Sequence, residues 1–435
     1  MKIRHVTIAL LFLGVLLRLR AYLADRSLWL DEAMLALNII HRGFVGLWKP
    51  LDMHQGAPVG FLMLVRSAVI SFGTGEYALR LVPLLAGIAA VGLFYLLAKR
   101  VLLTNALPLA VALFALSPSL IYYSSEVKQY SLDVAIALLL ILLAVEERIW
   151  TLALIGAIAI WFSHPAIFIL AGIGLARPRL WPIFPFLGIS FATCYFLLLR
   201  HADPVLFVFW QANFMHLSPR WFLDAFFDFF RTPGALDFIG LAGFAFLCGS
   251  VALWKRNRDM ALLLLAPVAA TLAASALHKY PFGGRLVLFL LPIALLFIAE
   301  GVEAIRVTAG NQVGVILLSL LLLDPAQYSL RKFIFPLRPA NRAGVMPLEE
   351  MRPVLAELAQ RQQPGDCIDV IGYSRPAFDY YAHDRFHECV TGRVWLLLSH
   401  LEGEAGEEPK ETKRDWGTPK ESISEPGAEA DLYLR

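Results

Sequence analysis

The sequence predicts an all-α polytopic membrane protein with a small C-terminal α/β appendage, and three observations lead there. The 435 residues are 58% hydrophobic and 17% charged, with a mean hydropathy of +0.63, whereas soluble domains average about 45–50% apolar and about 25% charged. Apolar runs close to the ~20 residues that cross a bilayer recur along most of the chain. Near Phe335 the composition changes, and large apolar runs stop. These figures exclude a cytosolic enzyme, a disordered chain and a disulfide scaffold. A formal net charge of +3 without a basic block gives no reason to expect nucleic acid. The four cysteines, Cys194, Cys248, Cys367 and Cys389, form no metal-type cluster.

The apolar runs fall at 5–23, 79–98, 104–121, 129–146, 181–199, 235–254, 260–277, 284–304 and 311–324. Lys2 and Arg4 precede the first run, Arg18 and Arg20 lie near its end, and no small-residue cleavage site follows. That pattern reads as a retained anchor rather than a removed signal peptide. Residues 58–73 are short, contain Arg66 and lie between glycine-rich turns. Residues 149–176 are long enough for one tilted span, but Ser163-His164-Pro165 interrupts them.

Positive charge in the loops arbitrates between these readings. If 58–73 stays at the surface and 149–176 forms two short spans, all the basic clusters share the cytoplasmic side. These are Lys2/Arg4, Lys99/Arg100, Arg148, Arg177/Arg179, Lys255/Arg256/Arg258 and Arg306. The result is about 11 transmembrane helices, with the N-terminus inside and the C-terminal region outside. The first outer loop, 24–78, then carries juxtamembrane helices. Residues 1–335 form the membrane domain, 336–400 a small extracytoplasmic α/β region, and 401–435 a charged tail expected to be disordered. On this topology the unusual polar residues gather on the outer face.

Asp31 and Glu32 follow the first run in Leu28-Trp29-Leu30-Asp31-Glu32-Ala33. A carboxylate at a bilayer edge is costly unless solvated or used. One of the pair serves as a general base, or both are an acidic first turn favoured by the helix dipole. His54, in His54-Gln55-Gly56-Ala57-Pro58, positions a ligand, helps bind a metal, or belongs to a loop turn. Glu126, Lys128 and Tyr130 lie in Ser124-Ser125-Glu126-Val127-Lys128-Gln129-Tyr130. They orient a sugar and pair with phosphate, or form a polar turn with interfacial aromatics. His164 breaks an apolar stretch and is a ligand group or a structural histidine. In His278-Lys279-Tyr280-Pro281-Phe282-Gly283-Gly284-Arg285, Arg285 grips a phosphate bidentately or snorkels at a helix end.

Taken together, these segments resemble the GT-C superfamily of integral-membrane glycosyltransferases. The nearest likeness is to the branch with protein O-mannosyltransferases, lipid A aminoarabinose transferases and Rgt-like lipopolysaccharide sugar transferases. The resemblance covers roughly 5–330. It rests on Trp29-Leu30-Asp31-Glu32-Ala33, a helix led by Pro58, Gly75-Glu76-Tyr77-Ala78-Leu79-Arg80-Leu81-Val82-Pro83, Ser117-Pro118 ahead of Ser125-Glu126-Val127-Lys128-Gln129-Tyr130, and Tyr280-Pro281-Phe282-Gly283-Gly284-Arg285. It implies that Asp31 is the catalytic base, with Glu32 beside it and Glu126 as the second acidic position. Arg285 would meet the donor phosphate, with Lys128 and Tyr280 as companions. Relatives often carry an acidic residue and a double proline where this chain has His54-Gln55-Gly56-Ala57-Pro58, so no metal and no cofactor is assigned.

The implied reaction is hexosyl or pentosyl transfer from a polyprenyl-phosphate-sugar donor to a lipid, glycan or protein hydroxyl, with inversion. The implied place is the outer face of a bacterial cytoplasmic (inner) membrane, among membrane lipids. The alternatives are a transporter or flippase of a lipid-linked glycan, although no internal repeat is visible, and a non-catalytic scaffold of envelope assembly.

Overall fold

The computed structural model describes residues 2–337, 348–382, 392–401 and 407–434. Seven helices are long and apolar enough to cross a membrane, or eight when a bent pair counts as one span. The expected total of about 11 is reached only with three shorter apolar helices.

The chain begins with α1 (Lys2–Tyr22), then α2 (Leu30–His41), α3 (Val59–Phe72) and α4 (Glu76–Val101). Asp31 and Glu32 occupy the first turn of α2, where the helix dipole favours anions. The 14 residues of α3 are short for a crossing. This helix packs on α2, α4 and a later helix. Gly73, at φ 93°, ends it.

Next come α5 (Leu107–Leu116) and α6 (Pro118–Tyr122), bent by 53°. Pro118 lacks an N–H and cannot continue the preceding helix, while Ser117 caps the new one through Leu120 N–H. The bend delivers 123–129 to one end of the bundle, where α7 (Tyr130–Val145) starts. Ser163-His164-Pro165 separates α8 (Ile149–Phe162) from α9 (Ala166–Ala176), so 149–176 is two helices. Then follow α10 (Phe184–Leu197), α11 (Pro204–Phe209), α12 (Pro219–Arg231), α13 (Ile239–Arg256), α14 (Arg258–Ala276), α15 (Leu291–Ala309) and α16 (Asn311–Ile334).

A 3-10 stretch, Gly284–Leu290, leads into α15, and the combined segment is almost wholly buried. The outward faces of α1, α10 and α16 expose large apolar side chains such as Phe12, Ile189 and Leu330. A helix apolar all round belongs in the middle, and the outer faces meet lipid. α13 and α15 touch backbone to backbone: a Cβ on Gly249 would lie 1.8 Å from the Phe297 carbonyl oxygen, and one on Gly301 1.9 Å from that of Ala245. Small residues permit this approach.

The bundle is polar at two opposite ends. At one, Arg100 pairs with Glu146, and Arg256 binds Glu300 and the Val101 carbonyl. The other end holds Asp31, Lys128 and Arg285. α4 and α15 run between them, so the sequence-expected basic sides and the candidate site lie a helix length apart.

The appendage comprises α17 (Met351–Arg361), β1 (Cys367–Val370), α18 (Arg375–Tyr381), β2 (Arg393–Ser399), α19 (Glu407–Trp416), β3 (Glu421–Glu425) and β4 (Ala428–Leu434). Its sheet runs β1-β2-β4-β3. β1 and β2 are parallel, with Cys367 opposite Val394, and β4 is antiparallel to both β2 and β3. This corrects the expected disordered tail at 401–435. A Pro426-Gly427 turn folds β3 onto β4, and seven β4 residues pair with β2 across its whole length. The appendage is also no tethered module. Val354, Trp395 and Leu432 share one apolar core with Leu35 and Ile39 of α2 and Phe61 of α3. Cys367 is disulfide-bonded, and Cys389 lies outside the described residues.

Candidate active site

The site is built around the first turn of α2. Successive helical residues point about 100° apart, so the two neighbouring acids have different surroundings. Glu32 is fully buried. Its Oε2 accepts from Arg26 Nη1 at 2.6 Å and Arg80 Nη2 at 2.8 Å, and its Oε1 from Arg80 Nε at 2.9 Å and the Val127 N–H at 2.8 Å. Burial alone would raise its pKa, but Arg26 and Arg80 hold it below the usual carboxylate value. Glu32 is therefore a brace joining α2, α4 and the 126–129 turn. Its oxygens are already committed to the fold.

Asp31 faces the chamber. Its Oδ2 meets the Arg285 guanidinium and lies 3.7 Å from Lys128 Nζ, and its Oδ1 is 3.4 Å from Gln55 Nε2. Lys128 Nζ donates to Gln55 Oε1 at 2.6 Å. Arg285 also lies near three aromatic rings, 5.6 Å from Trp29, 5.9 Å from Tyr130 and 5.8 Å from Trp210, which suits a partly desolvated guanidinium. The turn before it is fixed by the loop between α11 and α12. Phe282 N–H donates to the Asn213 carbonyl at 2.8 Å, and a Cβ on Gly283 would lie 2.1 Å from Asn213 Nδ2.

Glu126 lies behind Trp29. It is fully buried, and its Oε1 accepts from Trp29 Nε1 at 2.8 Å. Its Oε2 has no hydrogen-bond partner among the described residues. Burial first, and then the Glu32 carboxylate, push its pKa up to about 7. Asp31 behaves oppositely. Burial would raise it, but Arg285 and then Lys128 hold it far below the carboxylate range. Burial lowers the Lys128 ammonium. The chamber thus pairs one firmly ionised carboxylate with a second that holds its proton near neutrality.

Other expected residues lie elsewhere. The His54 ring is mostly exposed, and its Nδ1 is 2.7 Å from Asp203 Oδ2. It ties the loop between α2 and α3 to α11, while its neighbour Gln55 reaches Asp31 and Lys128. The Tyr280 hydroxyl donates to the Leu286 carbonyl at 2.9 Å, and its ring packs on Phe168. Among the described residues, no hydrogen bond or ion pair joins the His164 side chain to Asp31, Glu126, Lys128 or Arg285; it belongs to the α8–α9 break. Tyr130 places its ring 5.9 Å from the Arg285 guanidinium. No three His, Cys, Asp or Glu side chains among the described residues could hold a metal ion.

The appendage supplies parts that sequence reasoning missed. α2 has no side-chain N-cap of its own. Glu349 serves instead, its Oε2 accepting the Leu30 N–H at 3.1 Å, while its Oε1 meets His400 Nδ1 at 2.6 Å. The His400 ring stacks on Trp29 at 6.3 Å, on the indole that Arg285 also approaches. Glu350 accepts from Ser27 Oγ at 3.0 Å, and Arg352 pairs with Asp25 at 2.9 Å and Glu76 at 2.8 Å.

No protein-family model matches the chain, and no curated protein sequence does. Solved structures do match. ArnT from Cupriavidus metallidurans in the apo state superposes with a TM-score of 0.52 at 12% identity, covering 98% of this chain and 97% of that one. The same protein bound to undecaprenyl phosphate gives 0.51 at 11% identity, with the same coverage. The Archaeoglobus fulgidus oligosaccharyltransferase complex with zinc and sulfate gives 0.53 at 12% identity, covering 86% of this chain and 61% of that one. Similarity at this identity lies in the fold, which runs through the membrane bundle and the appendage alike. The chain is a polytopic membrane protein with the GT-C fold that its motifs led us to expect.

Proposed function

We propose that this chain is a membrane glycosyltransferase that moves a sugar from a polyprenyl-phosphate donor to an acceptor hydroxyl. The observation that carries the reading is one carboxylate, Asp31, set against two cations, Arg285 and Lys128, at one polar end of an apolar bundle. Support comes from the fold. One neighbour is an oligosaccharyltransferase, and another was crystallised with undecaprenyl phosphate.

In this reading the donor phosphate binds Arg285 and Lys128 and competes with Asp31 for them. Losing those partners lets the Asp31 pKa rise toward its ordinary value, so donor binding itself converts a spent carboxylate into a usable base. Asp31 Oδ2 takes the acceptor proton as the acceptor oxygen attacks the anomeric carbon. A carbon–oxygen bond forms on one face while the bond to the phosphate oxygen breaks on the other, so the configuration inverts. The electron pair leaves on the phosphate, where Arg285 and Lys128 stabilise charge that grows only in the transition state. Glu126 keeps Trp29, and through it the wall beside Arg285, in place. The site opens to the outer face, with the N-terminus cytoplasmic and the C-terminal region extracytoplasmic.

The test is transfer in proteoliposomes from a polyprenyl-phosphate sugar, with the product followed by mass spectrometry. Wild type should form a new glycosidic bond and Asp31→Asn should not. Full transfer by a well-folded Asp31→Asn protein would remove Asp31 from the mechanism. Lipid translocation without a new bond would favour a flippase.

A further inference from the structure

A cationic cavity lies apart from Asp31, Lys128 and Arg285. It has a volume of about 50 Å³ and sits between the end of α1, the α6 turn and the last turns of α16. By this measure a single water needs roughly 10–15 Å³, so the space suits a phosphate-sized group. Arg20, Arg26 and Lys332 line it, and among the described residues no acidic side chain does. The remaining wall is largely apolar, with Leu17, Ile121 and Phe333 among it.

Two of these cations donate to main-chain oxygens. Arg20 Nε donates to the Phe333 carbonyl at 3.0 Å and Lys332 Nζ to that of Pro336 at 3.2 Å. Arg26 is nearly fully buried, and its Nε has no hydrogen-bond partner among the described residues, although its Nη1 meets Glu32. Nearby Arg18 points elsewhere, its Nη groups donating to the carbonyls of Gly14, Phe114 and Ala115 inside the bundle. Beside the cavity, Leu19 and Leu23 of the α1 end and Leu330 and Ile334 of α16 are exposed and apolar. A cationic recess opening beside a lipid-facing wall combines headgroup chemistry with a place for chains.

We propose that this cavity binds the phosphate of a membrane lipid, whose chains lie along the apolar faces of α1 and α16. Arg26 contributes to the cavity wall and, through Glu32, to the brace under Asp31, so the lipid would seat against the scaffold of the chamber. The inference does not rest on sugar transfer, and its test does not use activity.

The full-length protein in detergent is titrated by native mass spectrometry with phosphatidylglycerol, phosphatidylethanolamine or polyprenyl phosphate. Wild type should retain the anionic lipids over the zwitterionic one. Losing two cations in Arg20→Gln/Lys332→Gln should weaken anionic binding about 30-fold, while Arg179→Gln, at the far end, should leave it unchanged. Displacement of bound phosphatidylglycerol by polyprenyl phosphate would identify a carrier-lipid site; resistance to displacement would identify a phospholipid site. A folded double variant that binds as wild type does would overturn the proposal. Photoactivatable phosphatidylglycerol on unaltered protein gives a second reading. Crosslinks should map to 13–26 and 325–337, and their absence there would overturn it independently.

Discussion

Glu32 offers the sharpest separation of architecture from chemistry, because a neighbouring acid of the same charge serves as its control. Glu32→Gln removes one negative charge from between two buried guanidiniums, Arg26 and Arg80, and leaves the shape almost unchanged. Removing one partner of a buried ion pair typically costs about 3–5 kcal/mol, because the remaining charge is stranded. The carboxamide also presents an NH₂ group where the carboxylate accepted from an N–H donor, so at least one of the four hydrogen bonds at this residue becomes repulsive. With an unfolding entropy of about 2.1 cal/mol/K per residue over 435 residues, the loss corresponds to a Tm drop of roughly 3–5 °C. The assay is thermal unfolding in detergent, paired with transfer measured well below the transition. The expected result is a lowered Tm with transfer retained by the folded fraction, while folded Asp31→Asn loses transfer whatever its Tm. A Glu32→Gln protein with wild-type Tm and no transfer would refute the brace and return Glu32 to the chemistry.

Four further outcomes follow from the geometry. Asp31→Asn should lower kcat about 10²–10⁴-fold, the usual contribution of a positioned base, as measured in proteoliposomes. Arg285→Lys keeps the charge but loses the planar fork and its aromatic surround, so transfer should fall while the protein stays folded. Glu126→Gln fixes the neutral form of a group whose pKa is raised to about 7; the cost of ionising it grows as pH rises from its ordinary value of 4.5 to about 7, so the variant should gain in Tm relative to wild type above that window and not below it. Gly249→Ala places a Cβ 1.8 Å from the Phe297 oxygen and should lower Tm by separating α13 from α15.

What the sequence disclosed, and what it hid, follows from how far each signal reaches along the chain. Apolar runs are local, so the spans and the α8–α9 break at Ser163-His164-Pro165 were readable. The hairpin of β3 and β4 was not, because β3 carries only one large apolar side chain, Ile423, and gains its partners from β4 and α17. Averaged over 401–435, its charge looked like disorder, although Pro426-Gly427 was a legible turn signal. Within the site, Asp31, Lys128 and Arg285 stood out as charges beside greasy segments. Nothing in the residue pair Asp31-Glu32 tells which acid faces inward, since the answer depends on Arg80, 48 positions away. His54 drew attention because imidazole is versatile, yet the amide of Gln55 is what bridges Lys128 and Asp31.

The appendage shows why such long-range parts matter to function. His400 is held against Glu349, and that hydrogen bond raises its pKa above the ordinary value of 6.5. A histidine whose folded pKa is raised gives its full stabilisation below 6.5 and loses it as pH climbs through the folded value. Burial raises the Glu349 pKa as well, so the ionised carboxylate is poorly tolerated once its cationic partner is lost. Both shifts therefore act in the same direction, and the contact between Glu349 and the first turn of α2 should loosen above about pH 6.5. Hydrogen exchange at the Leu30 amide, which donates to Glu349, should accelerate across that window beyond the intrinsic pH dependence, and His400→Gln should abolish the excess. If the excess survives in the variant, the cap does not depend on His400. If it disappears, the chamber that places Asp31 against Arg285 is held from outside the membrane bundle, by residues more than 300 positions downstream in the chain.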